Sequence, residues 1–285
     1  MMQFKQLLQS SGKKAGALLL AAAMIATNIS FIHTEKAYGA SFQMGTDNHW
    51  AEAYMRNLYN RGIISGDKNG NMNPNQPITR AEFISIINRT FGYTKTGRTP
   101  FQDINGTEWY ADDIAIAYNQ GYFSGDGRAT ANAQGSLTRE QAVALLGRNL
   151  ALEETAGVST SFADGTSIAN WSRGYVNTSA NKGFIAGYKD NTFKPQNNIT
   201  RAEVAKVLTD AVGELVKQPG TISLGTQEGN VTIAASGVTL QDTVIQGDLY
   251  IAGGVGLGST VFENVHVLGD VIINGTGESQ AGKSS

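Results

Sequence analysis

The chain has 285 residues, 41% hydrophobic and 16% charged, which is enough apolar side chain for one or two globular cores and too much for low-complexity disorder. Cysteine is absent, which excludes a disulfide framework, a thiol nucleophile and a zinc-thiolate site. The formal net charge is −2; residues 1–40 hold four basic side chains (Lys5, Lys13, Lys14, Lys36) and one acid (Glu35), so the remainder sets 18 basic against 23 acidic residues and no nucleic acid is expected as a partner.

Residues 1–40 read as a secretory signal peptide: lysines first, then the uncharged run from Ala15 to Ala26, then a polar stretch ending Ala37-Tyr38-Gly39-Ala40. The apolar run falls short of the roughly 20 residues that cross a bilayer, so no membrane contact is expected after cleavage. Cleavage after Gly39 puts Ala37 and Gly39 at the two small-residue positions.

Three tryptophans, Trp50, Trp109 and Trp171, then open three segments whose later landmarks share one register. Gly62, Gly121 and Gly183 follow, then Gly66, Gly125 and Gly187, then Arg80, Arg139 and Arg201, each of these after Thr79, Thr138 or Thr200. Apolar residues near helical spacing between each Trp and the first Gly (Trp50, Tyr54, Leu58; Trp109, Ile114, Ala117; Trp171, Tyr175, Ser179) predict a short amphipathic helix. The Gly suits its left-handed stop. An apolar connection follows (Ile63-Ile64, Tyr122-Phe123, Phe184-Ile185), then a polar loop.

A second helix is predicted at Thr79-Arg80-Ala81-Glu82, Thr138-Arg139-Glu140-Gln141 and Thr200-Arg201-Ala202-Glu203, where Thr followed three residues later by Glu or Gln forms a capping box. Its inner face carries Phe83, Ile86 and Ile87 in the first repeat and Val204, Val207 and Leu208 in the third. A single helix-loop-helix cannot bury such a stripe alone. The expected fold is therefore mainly α: three helix-loop-helix repeats (41–98, 99–158, 159–217) packed with pseudo-threefold symmetry, second helices at the centre.

These residues resemble the S-layer homology (SLH) family, whose F-x-D start, first-helix Trp, Gly-apolar-apolar-x-Gly step and ITRAE-like second-helix start read here as Phe162-Ala163-Asp164, Trp171, Gly183 to Gly187 and Ile199-Thr200-Arg201-Ala202-Glu203. The family Asp is clear at Asp103 and Asp164, each two residues after a Phe, whereas Asp47 stands three residues before Trp50 and lacks that Phe. The resemblance implies binding of a secondary cell-wall polysaccharide with acidic, often pyruvylated, sugars, and with it a secreted location in the cell wall or S-layer at the cell surface.

An anion fits the motif physically, because Arg80, Arg139 and Arg201 each place a cation in the first helical turn, against the positive end of the helix dipole. Free backbone N–H groups, the dipole and the guanidinium are expected to converge on one carboxylate, with Trp50, Trp109 and Trp171 offering an apolar face to a sugar ring. The implied ligand-binding set is completed by Asp103, Asp164, Gly66, Gly125 and Gly187. Repeat two, with Ala131 where the others have Met72 and Phe193, and Gln141 in place of Glu, is expected to have the weakest groove.

After Lys217-Gln218-Pro219-Gly220, expected to be a linker, Thr, Val, Ile and Gly dominate and residues 218–285 read as short strands. Asp242 to Ile251 aligns with Asn264 to Ile273 at a spacing of 22, which reads as the opening rungs of a β-solenoid. Its edge offers a surface for self-association.

Two other readings stay open: a surface carbohydrate-active enzyme whose solenoid carries catalysis, and a lattice-forming S-layer subunit. Against an enzyme, His49 and His266 lie in different regions without a nucleophile motif, and Asp112-Asp113 and Glu153-Glu154 read as solvated helix surface. Asp67 to Asn71 begins like a calcium loop, but Met72 and Ile78 occupy the Gly and Glu positions, so it reads as a turn; no metal, cofactor or catalytic residue is expected.

Overall fold

The computed structural model describes residues 41–45, 48–152 and 162–274; the expected signal peptide, Asp47 and Glu153-Glu154 lie outside these residues. Six helices form in pairs: α1 (Glu52–Asn60) and α2 (Arg80–Phe91), α3 (Ala111–Asn119) and α4 (Arg139–Asn149), α5 (Asn170–Asn181) and α6 (Arg201–Val212). All three second helices start with a complete capping box, Thr79 with Glu82, Thr138 with Gln141 and Thr200 with Glu203. First helices stop at Gly62, Gly121 and Gly183, whose φ of 67°, 77° and 76° is the left-handed conformation that glycine adopts without strain.

Each second helix packs on the first helix of the following repeat, α2 on α3 and α4 on α5, and α6 closes the ring on α1. At its centre the residues just ahead of the caps hand backbone hydrogen bonds around a triangle: Ile78 N–H donates to Ile199 O (3.0 Å), Ile199 to Leu137 (2.9 Å) and Leu137 to Ile78 (3.1 Å). All three side chains are buried, as are Phe83, Ile86, Ile87, Val204 and Leu208. Burial of such side chains stabilises by about 1.5–3 kcal/mol each, and the share contributed by helix pairs from different repeats is lost to a repeat in isolation.

The solenoid follows without a linker. Its first strand, β1 (Glu214–Val216), begins two residues after α6, and Lys217-Gln218-Pro219 form the corner before β2 (Gly220–Gln227). Strands β3 (Val231–Ile233), β5 (Leu249–Ile251) and β7 (Val271–Ile273) stack on β1 as one parallel sheet; β4 (Val238–Ile245) and β6 (Thr260–Val267) stack on β2 as the other. The pairing Val238↔Thr260 has the spacing of 22 read from sequence, but the preceding rung, Gly220↔Val238, is only 18 long. The difference lies in the longer corner between β5 and β6, which holds the 3-10 turn Gly253–Val255.

Val216, Val231, Ile233, Leu240, Ile245 and Leu249 fill the space between the sheets. Leu215, Ala234, Tyr250 and Ala252 instead join the helical core. Polar contacts also join the two regions: the buried Asn230 Nδ2 donates to Ala211 O (2.7 Å) and the buried Thr232 Oγ1 to Val212 O (2.8 Å), while Lys182 pairs with Asp248 (2.8 Å) nearer the surface. Gly92 (φ 71°) sits where an added Cβ would stand 2.4 Å from Ala234 O, so helix and solenoid approach through bare backbone. Among the described residues, no helix is long and apolar enough to cross a membrane.

Candidate functional site

The ring closure decides where each repeated side chain goes. Arg80 reaches the loop of repeat two and donates to Asn132 O (2.7 Å); Arg139 reaches that of repeat three and donates to Phe193 O (2.8 Å). Arg201 reaches repeat one, donating through Nε to Met72 O (2.9 Å) and through a terminal nitrogen to Ser65 O (2.7 Å). Every Arg thus joins two repeats: its helix belongs to one and the loop it reaches to the next.

The backbone N–H groups expected to be free at the helix starts are occupied. Arg201 and Ala202 N–H donate to Gln76 O (3.0 Å) and Pro74 O (2.9 Å), Arg80 and Ala81 to Gly135 O (2.9 Å) and Ala133 O (2.8 Å), and Arg139 and Glu140 to Asn197 O (2.9 Å) and Pro195 O (3.1 Å). The third N–H of each helix goes to the capping Thr. The conflict between Arg and helix dipole is therefore met by carbonyl dipoles of the neighbouring loop, without an external anion. Sequence alone did not reveal this, because the compensating groups are backbone atoms distant in the chain.

Asp103 and Asp164 fix the same loops from the other side. Asp103 accepts from Ala131 and Asn132 N–H (2.8 Å each), and Asp164 from Phe193 (2.7 Å) and Lys194 (2.8 Å). In repeat one the corresponding start is Phe42-Gln43-Met44: Gln43 N–H donates to Gly70 O as Gln102 does to Ala129 O, and Gln43 O replaces the carboxylate by accepting Met72 N–H (2.7 Å). The Phe-x-x spacing was the signal for this match.

Gly66, Gly125 and Gly187 serve loop closure. A Cβ at Gly66 would stand 2.5 Å from Gly70 C, one at Gly125 (φ 74°) 2.4 Å from Thr130 O, and one at Gly187 3.0 Å from the Phe162 ring. Next to them, Asp67 accepts from Asn71 and Asn69 of its own turn, which holds its carboxyl below the usual range; the calcium-like loop is a turn. Asp113, expected on solvated helix surface, instead accepts from Asn88 Nδ2 (2.8 Å).

The tryptophans stay at the surface, 55% (Trp50), 61% (Trp109) and 48% (Trp171) exposed, far more than a core role allows. Trp50 and Trp109 stand two residues ahead of α1 and α3 rather than inside them. One groove, of about 410 Å³, brings together Trp109 of repeat two, Gly66 and Asp67 of repeat one, and Arg201 of repeat three. Arg89 and Glu82 line it too, and so does Ser85, whose buried hydroxyl has no hydrogen-bond partner. Burial lowers the Arg201 pKa, and Glu82 and Asp67 oppose that shift.

The counterpart at Arg139 is filled. Tyr188 occupies the place held by Asp67 and Asp126 after the loop glycine, its ring 4.7 Å from the guanidinium carbon, and Arg139 also pairs with Glu203 (3.2 Å). Tyr188 Oη donates to Glu203 (2.6 Å), leaving Arg139 only 6% exposed.

The S-layer homology domain model matches residues 46–84, 100–143 and 161–205. The chain is 35% identical over 177 residues to an amylopullulanase of Thermoanaerobacterium thermosulfurigenes, a match covering 60% of this chain and 9% of that protein. It is 28% identical over 217 residues (74% of this chain, 18% of the other) to a surface-layer 125 kDa protein of Lysinibacillus sphaericus, and 30% identical over 150 residues (50% and 33%) to a cellulosome-anchoring protein of Acetivibrio thermocellus. The chain thus spans a third or less of each. Domains of this family are non-catalytic modules that anchor surface proteins to the cell wall, and the relatives support a secreted, wall-associated location. Through the three repeats of its helical ring, this chain belongs to the S-layer homology family.

Proposed function

We propose that this chain anchors itself non-covalently to the cell wall by binding an acidic, pyruvylated secondary wall polysaccharide, with the groove between Arg201 and Trp109 as its principal site. The observation that carries the reading is the convergence of an exposed indole, two guanidinium groups (Arg89 and Arg201), a glycine-lined loop and an unpartnered hydroxyl on one groove. The indole offers an apolar face for a sugar ring, the cations suit a carboxylate, and Ser85 supplies a hydroxyl for a ring oxygen. By the repeat symmetry of the ring, Arg80 and the loop of repeat two are the second candidate, with Trp171 in the role of Trp109; the surroundings of Arg139 are occluded by Tyr188, and it contributes least.

Calorimetric titration with purified wall polysaccharide, beside a depyruvylated sample, tests this. Arg201→Ala and Trp109→Ala are each expected to weaken binding by about ten- to a hundredfold, in line with losing a charge-assisted hydrogen bond or a buried stacking face. Unchanged affinity in the folded double variant would refute the reading.

A second reading concerns the solenoid edge, where Val261, Phe262, Leu268, Val271 and Ile273 are each 44% exposed or more. These side chains, and the side of β6 and β7 that pairs with no strand among the described residues, suit addition of another strand, and self-association is the proposed use. Sedimentation at rising concentration checks it: a monomer throughout counts against it.

A further inference from the structure

We propose that the open end of the solenoid docks a partner polypeptide, which adds one parallel rung of the solenoid's own pattern over β6 and β7: a strand, a corner led by glycine, and a second, shorter strand. The inference stands apart from the groove and goes beyond self-association, because it fixes the direction of the added strand and a chemistry that a second copy does not offer.

Three segments, 220–233, 238–251 and 260–273, stack in one register. In-register parallel pairing keeps equivalent side chains on one face, so each rung covers the apolar side chains of the rung beneath. Leu240, Leu249 and Ile251 are thereby buried, whereas their partners in the last rung, Phe262, Val271 and Ile273, are 44%, 54% and 51% exposed. Among the described residues, the apolar interior is therefore open at this end. Residues 275–285 hold no Val, Ile, Leu or Phe to fill it.

Polar contacts at the corner carry a direction. Asn230 Oδ1 accepts Asp248 N–H (2.8 Å) and Asp248 Oδ1 accepts Asp270 N–H (3.0 Å), so each corner side chain takes the N–H of the equivalent residue one rung on. Val231 and Leu249 N–H donate in turn to the Asp248 and Asp270 carbonyls (2.9 Å each). At the last rung Asp270 presents the acceptor, its side chain 77% exposed and Lys182 3.7 Å away, and Val271 N–H stands in the donor position. A rung added in parallel meets both; an antiparallel strand brings its corner residues in reverse order and misses the pairing. The glycines set a further condition. A Cβ at Gly247 would stand 2.8 Å from Gly229 C and one at Gly269 2.6 Å from Gly247 O, so the added corner needs glycine over Gly269.

A second folded copy cannot offer its first rung here. The corner of that rung, at Asn230, rests on the end of α6: Asn230 Nδ2 donates to Ala211 O (2.7 Å), its carbonyl accepts Glu214 N–H (2.9 Å), and a Cβ at Gly213 would stand 1.9 Å from that carbonyl. The space that Asp270 needs beneath it is filled. What fits is an unpaired segment of another polypeptide, with alternating apolar residues either side of a Gly-polar corner, joining by strand addition.

The test titrates a fluorescent peptide with the sequence of residues 220–233 into the chain and reads anisotropy. Binding is expected at one site per chain. Asp270→Ala should weaken it about ten- to a hundredfold, and Asp270→Asn, which keeps an acceptor oxygen, should restore most of it. The Gly229→Val peptide is expected not to bind. A nitroxide on the peptide's N-terminus should broaden amide signals around Thr260. No binding, binding indifferent to Asp270, or broadening around Ile273 in place of Thr260 overturns the proposal. None of these outcomes bears on the Arg201 groove, and sedimentation of the chain without peptide decides self-association separately.

Discussion

Arg139→Ala separates a structural arginine from a ligand-binding one. In the folded chain Arg139 is 6% exposed, donates to Phe193 O at 2.8 Å, pairs with Glu203 at 3.2 Å and lies 4.7 and 5.1 Å from the Tyr188 and Phe193 rings. Truncation removes a charge-assisted bond worth about 1.5–3 kcal/mol and cation–π contacts worth about 0.5–2 kcal/mol. Glu203 keeps Tyr188 Oη and the Thr200 N–H as partners, which limits the penalty of an orphaned charge. The expected loss is therefore about 3 kcal/mol, a fall in Tm of roughly 6–12 °C for a unit of this size. Affinity for wall polysaccharide, measured well below the transition, should change less than about threefold, against the ten- to hundredfold loss proposed for Arg201→Ala. Thermal unfolding followed by circular dichroism and calorimetric titration of the same samples are the assays. An unshifted Tm combined with a large affinity loss would refute the argument and return Arg139 to the ligand.

Trp109→Ala should leave Tm within about 2 °C, since the indole is 61% exposed, while binding falls; differential scanning fluorimetry beside the titration checks the split. Gly125→Ala should destabilise by at least about 2 kcal/mol in urea unfolding, because φ is 74° and the added carbon meets Thr130 O at 2.4 Å. Tyr188, pushed up to about 12 by burial and its bond to Glu203, stabilises the fold in its protonated form; that contribution is complete below about pH 10 and is lost as pH rises toward 12. Tyrosinate absorbance should show a late-titrating group that Tyr188→Phe removes. A chain ending at residue 217 should melt lower than one carrying the solenoid, because Ala234, Tyr250 and Ala252 complete the helical core; a separate calorimetric transition for the solenoid would contradict this.

Much of the fold was legible in the sequence because its devices are local. A capping box, a left-handed glycine and an apolar stripe each operate within a turn or two of helix, and all recur in register. Closure into a ring followed from the inability of one repeat to bury Phe83, Ile86 and Ile87. The junction was less legible: Lys217-Gln218-Pro219-Gly220 has the composition of a linker, yet it turns a corner between two strands, since parallel stacking on residues not yet reached in the chain decides its path. The solenoid period was read from its second rung, and nothing local disclosed that the first is four residues shorter.

The site was legible as a set of residues but not as an arrangement. Register alone assigns each Arg to the groove of its own repeat, whereas α2, α4 and α6 point every Arg into the loop of the following one. The unevenness among grooves moves accordingly. Repeat two, singled out for Ala131 and Gln141, lends its loop to Arg80, and the occluded groove is the one made by Arg139 and the third loop. Its cause is one position: Tyr188 where the other loops carry Asp67 and Asp126. An aromatic ring can cover a guanidinium and bond Glu203 at once, which a shorter carboxylate bonded into its own turn cannot do. Three copies of one motif, folded into a ring, thus give their arginines unequal surroundings because each is completed by a neighbour that has diverged.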